Sequence, residues 1–138
     1  KNALAIADVL LDGQSKKNYD DAYFIKGLYY NYTGKPQKAI DVLDSGLALN
    51  YTYMPAYREK GIALLELKKY REAIKVFKRA VTLQNNYDEG YYWMGKVYEQ
   101  MNLRDSAIVA YQNALLYDKN YTEARRALDS LTTNKQSE

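Results

Sequence analysis

The sequence predicts an all-α chain of three helix-turn-helix repeats with flanking helices, and three observations carry that expectation. A 34-residue step relates Gly27, Gly61 and Gly95, and equally Ala39, Ala73 and Ala107, then Ile40, Ile74 and Ile108. Tyr19, Tyr53, Tyr87 and Tyr121 keep the same step. Within each period, apolar and aromatic residues recur at three- and four-residue spacing over two stretches split by a short polar break, the pattern of two amphipathic helices. Small residues recur at Gly46, Ala80 and Ala114 as well, and Gly27 with Ala39, Gly61 with Ala73 and Gly95 with Ala107 would let paired helix axes approach closely while Tyr, Phe and Leu fill the gaps.

The elements follow in order. Residues 1–19 read as the helix of a partial preceding repeat and a loop. Ala5-Ile6 lie one period before Ala39-Ile40, so residues 2–12 match a second helix, and the polar run from Asp12 to Asn18 breaks it. Repeat 1 spans 20–53, with helices over 20–32 and 36–49 around Thr33-Gly34-Lys35-Pro36. Repeat 2 spans 54–87, with helices over 55–67 and 70–83. Repeat 3 spans 88–121, with helices over 89–101 and 104–117 around Met101-Asn102-Leu103. Breaks this short force each pair antiparallel. Pro36 and Pro55 stand where helices begin, a position at which a missing N–H costs nothing. Residues 122–138 read as a capping helix from Thr122 to Leu131 followed by a frayed tail. The 138 residues, 47% of them hydrophobic, suffice for one domain with a real core. A start at Lys1 without Met reads as a piece of a longer protein.

Composition narrows the chemistry. With neither Cys nor His, the chain has no thiol nucleophile, Ser-His triad, zinc finger, haem or iron-sulfur ligation, and no histidine switch. No nucleophile or phosphate loop accompanies the scattered carboxylates, so a non-catalytic protein without cofactor or metal is expected. A net charge of +3, spread along the chain, does not argue for nucleic acid. No run approaches the ~20 apolar residues of a membrane span. The compartment stays open between cytoplasmic and extracytoplasmic, since absence of Cys suits both.

Each repeat also carries a motif: Tyr91-x-x-Met94-Gly95-x-x-Tyr98 then Ala107-x-x-x-Tyr111; Tyr57-x-x-Lys60-Gly61-x-x-Leu64 then Ala73-x-x-x-Phe77; and Tyr23-x-x-Lys26-Gly27-x-x-Tyr30 then Ala39-x-x-x-Leu43. This resembles the tetratricopeptide repeat. Lys26 and Lys60 stand where Leu is usual, and their stems should pack while the ammonium groups reach water. Tyr51, Asn85 and Lys119 replace the usual terminal Pro, removing a helix-stop signal.

The resemblance implies a right-handed α-α superhelix, or solenoid, whose concave face is lined by the first helix of each repeat and holds a peptide or partner helix. By position it selects Phe24, Leu28, Asn31 and Tyr32, then Arg58, Glu59, Ile62 and Glu66, then Tyr92, Trp93, Lys96 and Glu99, with Arg126 from the capping helix. With Asp21, Glu89 and Glu123 the groove holds six acids against three bases. Family members that hold chaperone tails use a Lys/Asn/Arg clamp for the terminal carboxylate. Its places here hold Phe24, Leu28, Glu59, Glu89 and Trp93, so no such clamp is expected. The expected partner is a protein or peptide held by apolar and aromatic contacts on Phe24, Leu28, Tyr92 and Trp93, with neutral or basic flanks. The alternative is a structural segment of a longer solenoid or self-assembling scaffold. Most of the sixteen tyrosines read as packing residues, whereas the helical phase of Tyr32, Tyr92 and Trp93 directs them away from the inter-helix seam. The basic run Lys68-Lys69-Tyr70-Arg71 reads as a solvated turn and outer face, and the Asn-Tyr-Thr acceptor patterns at Asn31, Asn50 and Asn120 as repeat architecture rather than glycan sites.

Overall fold

The computed structural model describes residues 3–5, 7 and 19–137, with side chains as far as residue 133. Seven helices are given in full: α1 (Tyr19–Tyr32), α2 (Pro36–Leu49), α3 (Met54–Glu66), α4 (Tyr70–Leu83), α5 (Asp88–Gln100), α6 (Arg104–Tyr117) and α7 (Thr122–Ser137). All described secondary structure is helical. The chain forms two compact units, Lys1–Lys69 and Tyr70–Glu138.

In unit 1, α1 packs on α2, and α3 packs on both. The repeat glycine sets the first contact, though not through the small residues expected to face it. A Cβ on Gly27 would meet the Leu43 side chain at 2.5 Å, so the missing methyl makes room for the large residue four positions after Ala39. Ala39 and Leu43 are both fully buried. Lys60 fulfils only half of its expectation: its stem is half-buried, but Nζ lies 2.7 Å from Asp44 Oδ1 on α2.

In unit 2, α5 packs on α4 and α6, and α7 covers α6. Gly95 repeats the glycine logic, because its Cβ would fall 2.5 Å from the ring of Tyr111. Tyr111, Ala107, Ala114, Leu115, Ala124 and Leu128 form one buried cluster, with Tyr92 and Tyr121 packed at its edge.

The turns repeat as faithfully as the helices. Between first and second helices, Gly34, Lys68 and Asn102 all take positive φ (76°, 61° and 61°). The next residue's N–H bonds back five residues in each case: Lys35 to Tyr30 O, Lys69 to Leu64 O and Leu103 to Tyr98 O, at 2.8–2.9 Å. This is the left-handed closure that glycine accepts freely and lysine does not. Between repeats, the N–H groups of Tyr53, Tyr87 and Tyr121 donate to Asn50, Gln84 and Asp118 carbonyls at 3.0–3.2 Å. Helix ends are thus fixed by backbone turns where the terminal Pro is missing.

Two expectations about the flanks need correction. The helix at the C-terminal end does not stop at Leu131 but runs to Ser137. No Gly or Pro interrupts it, the Thr132 hydroxyl folds back on Leu128 O at 3.0 Å, and Arg104 Nη2 donates to Leu131 O. At the other end, residues 3–5 and 7 are helical, yet Ala7 is the fully buried one and Ala5 is exposed. The 34-residue phase that pairs Ala5 with Ala39 therefore does not carry into this segment. What it buries is set by its own neighbours rather than by the period. The expected break over residues 12–18 lies outside the described residues.

Candidate functional site

On α1, Leu28 and Tyr32 stand one helical turn apart on a shared face, 38% and 92% exposed. Phe24 is drawn back by Tyr53, whose ring lies 5.4 Å away at 54° and whose hydroxyl donates to Asp21 Oδ1 at 2.8 Å. Burial, then the Asp21 carboxylate, raises the Tyr53 phenol well above the usual tyrosine range. Asn31 turns to α3: its Nδ2 donates to Glu59 O at 3.0 Å and to Glu59 Oε1 at 3.2 Å. Arg58 Nε donates to Glu59 Oε2 at 3.0 Å. Glu59, only 8% exposed, is therefore a buried brace between α1 and α3 rather than an open acid of a groove. Ile62 is half-buried beside it, and Glu66 is exposed at the end of α3.

On α5, the structure corrects the expected phase of Tyr92. Its ring stacks on Tyr121 of the inter-repeat turn at 5.0 Å and 28°, tilts against Tyr111 of α6 at 5.8 Å, and meets Trp93 edge-on at 5.4 Å. The extra aromatic at Tyr111 offers a ring surface that draws Tyr92 inward. Lys96 Nζ stands 5.9 Å from the Tyr92 ring centroid. Trp93 is half-buried and Arg126 exposed. Glu99 accepts a hydrogen bond from the Tyr111 hydroxyl. Burial first and the Glu99 carboxylate second hold the Tyr111 phenol protonated far above its ordinary range, and burial does the same for Tyr121 and, less strongly, Tyr92.

The sequence reading missed the Tyr111–Glu99 pair. A usable signal existed: the motif position that holds Phe77 and Leu43 in the other repeats holds Tyr111, and a buried phenol needs an acceptor. It also missed a hollow of about 340 Å³ where α5 and α7 begin, whose charged lining is Asp88, Glu89, Asp118 and Glu123. Desolvation lifts the Asp88 carboxyl above its normal value, although its own and the Glu89 N–H oppose that. Among the described residues no group of His, Cys, Asp and Glu could hold a metal ion, and no helix is long and apolar enough to cross a membrane.

Comparison with known proteins agrees with the repeat. Family models described as "TPR repeat" and "Tetratricopeptide repeat" match residues 61–102 and 88–128, and one described as "Anaphase-promoting complex, cyclosome, subunit 3" matches residues 1–80. No curated protein sequence matches. Among solved structures, a crystal structure of MamA is similar at 26% identity and a TM-score of 0.80, covering 96% of this chain and 77% of that one. The first TPR domain of human RPAP3 superposes with a TM-score of 0.81 at 23% identity, over 87% and 94% of the two chains. The first TPR of Spaghetti (RPAP3), solved bound to the HSP90 peptide SRMEEVD, gives 0.77 at 23% identity over 85% and 93%. Domains of this kind mediate protein–protein interaction. With the period, the turn geometry and these matches in hand, the chain is assigned to the tetratricopeptide repeat family.

Proposed function

We propose that this chain is a non-catalytic interaction module whose first-helix faces hold a peptide or partner helix through apolar and aromatic contacts. The observation that carries the reading is the open pair Leu28 and Tyr32 on α1, large apolar groups left in water on the face that the family uses for ligands. Trp93 and the aliphatic stem of Lys96 offer the corresponding surface on α5. Neutral or basic flanks suit the ligand, since the four carboxylates of Asp88, Glu89, Asp118 and Glu123 line a hollow with Tyr121.

An acidic C-terminal tail suits these faces less well. Of the five places where the terminal-carboxylate clamp would stand, three hold Phe24, Leu28 and Trp93 and two hold the acids Glu59 and Glu89. Fluorescence anisotropy with two labelled peptides tests the reading: a Leu/Phe peptide flanked by Lys, and the acidic SRMEEVD. The apolar peptide should bind more tightly, and Trp93→Ala or Tyr32→Ala should weaken it at least tenfold with helicity unchanged. Micromolar binding of SRMEEVD that Lys96→Ala abolishes would overturn it. The alternative, a structural segment of a longer solenoid, requires all of these substitutions to be silent.

A further inference from the structure

The outward faces of α2, α4 and α6 occupy the same repeat positions, and α6 departs from the other two. Where α2 and α4 place Asp41 and Lys75, α6 has Val109; where they place Asp44 and Lys78, it has Gln112. Ala48 and Thr82 are followed by Leu116. All of these positions face solvent, yet Val109 is 54% and Leu116 72% exposed. They lie seven residues apart and so share one stripe. Charge at the positions equivalent to Val109, and the small Ala48 and Thr82 at those equivalent to Leu116, indicate that the fold itself does not require large apolar side chains there.

Beside Val109, α5 and α6 flank an open hollow of about 340 Å³. Its apolar wall is Tyr91, Met94, Tyr98 and Val109, and its one charged lining residue is Asp105. The wall is held in place: the Tyr91 hydroxyl donates to Asn85 O at 2.9 Å, and its ring stacks on Tyr117 at 5.5 Å and 18°. From Ser106 to Tyr117 the helix carries no charge at all.

We propose that this outer face of unit 2 docks an amphipathic partner helix, with one apolar side chain in the hollow, a second on Leu116, and a Lys or Arg meeting Asp105. Charge decides among occupants. An acidic helix would set its carboxylates against Asp105, and a second copy laid stripe on stripe would bring the uncharged run Ser106–Tyr117 rather than a row of bases. The proposal goes beyond the first-helix faces and does not depend on them.

The test uses the full chain and a labelled 14-residue helical peptide with Leu or Phe at positions i, i+3, i+4 and i+7 and Lys elsewhere, beside a twin with Glu for Lys and a scrambled twin. The Lys peptide should bind at least tenfold tighter than either twin. Val109→Lys with Leu116→Thr, which restores the residue types of α4, should remove that preference, and Thr82→Ala on the outer face of α4 should leave it intact. The proposal is overturned by absence of binding, by equal affinity for the Lys and Glu peptides, or by indifference to the double substitution. Sedimentation velocity supplies the other arm. Concentration-dependent self-association that the double substitution removes would make the occupant a second copy, and would also overturn it.

Discussion

Asn31 in the first repeat and Glu99 in the third are equivalent by two periods, yet one is a donor and the other an acceptor. Asn31 reaches forward to Glu59 on α3, the first helix of the next repeat. Glu99 accepts from Tyr111, which belongs to the second helix of its own repeat. The cause is a second repeat position on the following helix: Leu43 in unit 1 has no hydroxyl to offer, whereas Tyr111 in unit 2 brings a phenol that must be satisfied. Phe24 and Tyr53 in unit 1 likewise correspond to Tyr92 and Tyr121 in unit 2, and both pairs lie in ring contact. Unit 1 therefore ties its helices with polar side chains around Glu59 and with Lys60–Asp44, while unit 2 ties them with four linked aromatic rings and a carboxylate. A repeat fold tolerates either solution because each position needs only a satisfied neighbour, not a particular one.

Substitutions can break this contrast, and the largest effect is expected at the repeat glycines. Gly95→Ala drives a methyl into the buried Tyr111 ring and should destabilise by about 1–3 kcal/mol despite the better helix propensity of Ala. Gly27→Ala meets the more adaptable Leu43 and should cost less; equal losses in urea unfolding would mean the ring is no stiffer than the leucine. Tyr111→Phe removes the donor to Glu99 and should cost about 1–2 kcal/mol, with Glu99→Gln recovering part of it in the double variant.

The same contrast extends to alkaline pH. Tyr53 in unit 1, and Tyr91, Tyr92, Tyr111 and Tyr121 in unit 2, all have raised values. The fold thus holds the phenol protons more tightly than the unfolded chain does. That stabilisation is complete below the ordinary tyrosine value of about 10 and falls as pH rises above it. Hydrogen exchange at about pH 7 and about pH 10.5 should show α5 and α6 losing protection more than α1–α3, and uniform loss would contradict the aromatic account.

Smaller effects complete the series. Asn31→Ala leaves Glu59 with Arg58 but without its inter-helix donor, and should cost about 1 kcal/mol with no counterpart in unit 2. Lys68→Gly should stabilise by about 0.5–1 kcal/mol by relieving its positive φ, with a smaller gain for Asn102→Gly because Asn accepts that conformation more readily. A Tm that drops for Lys68→Gly would show that the side chain repays its strain.

Much of this was written locally. The expected helices 20–32, 36–49, 70–83 and 104–117 match α1, α2, α4 and α6 within one residue, because apolar spacing and short polar breaks determine helix pairs without reference to the rest of the chain. The site residues were less legible. Position alone selected Glu59 and Tyr92 as surface groups, but exposure depends on what surrounds each side chain: Asn31 of α1 and the adjacent Arg58 for the first, Tyr111 of α6 and Tyr121 of the inter-repeat turn for the second.

The sequence by itself determined the period, the helices and the family, since those depend on residues a few positions apart and on a pattern repeated three times. Only the tertiary structure decided that the glycines seat Leu43 and Tyr111, that Ala7 rather than Ala5 is buried, that Lys68 closes its turn in the left-handed region, and that Val109 and Leu116 remain in water. Those outcomes depend on contacts between segments far apart in the chain, and on closing each turn where its two helices must meet, which a 34-residue register constrains in position but not in partner.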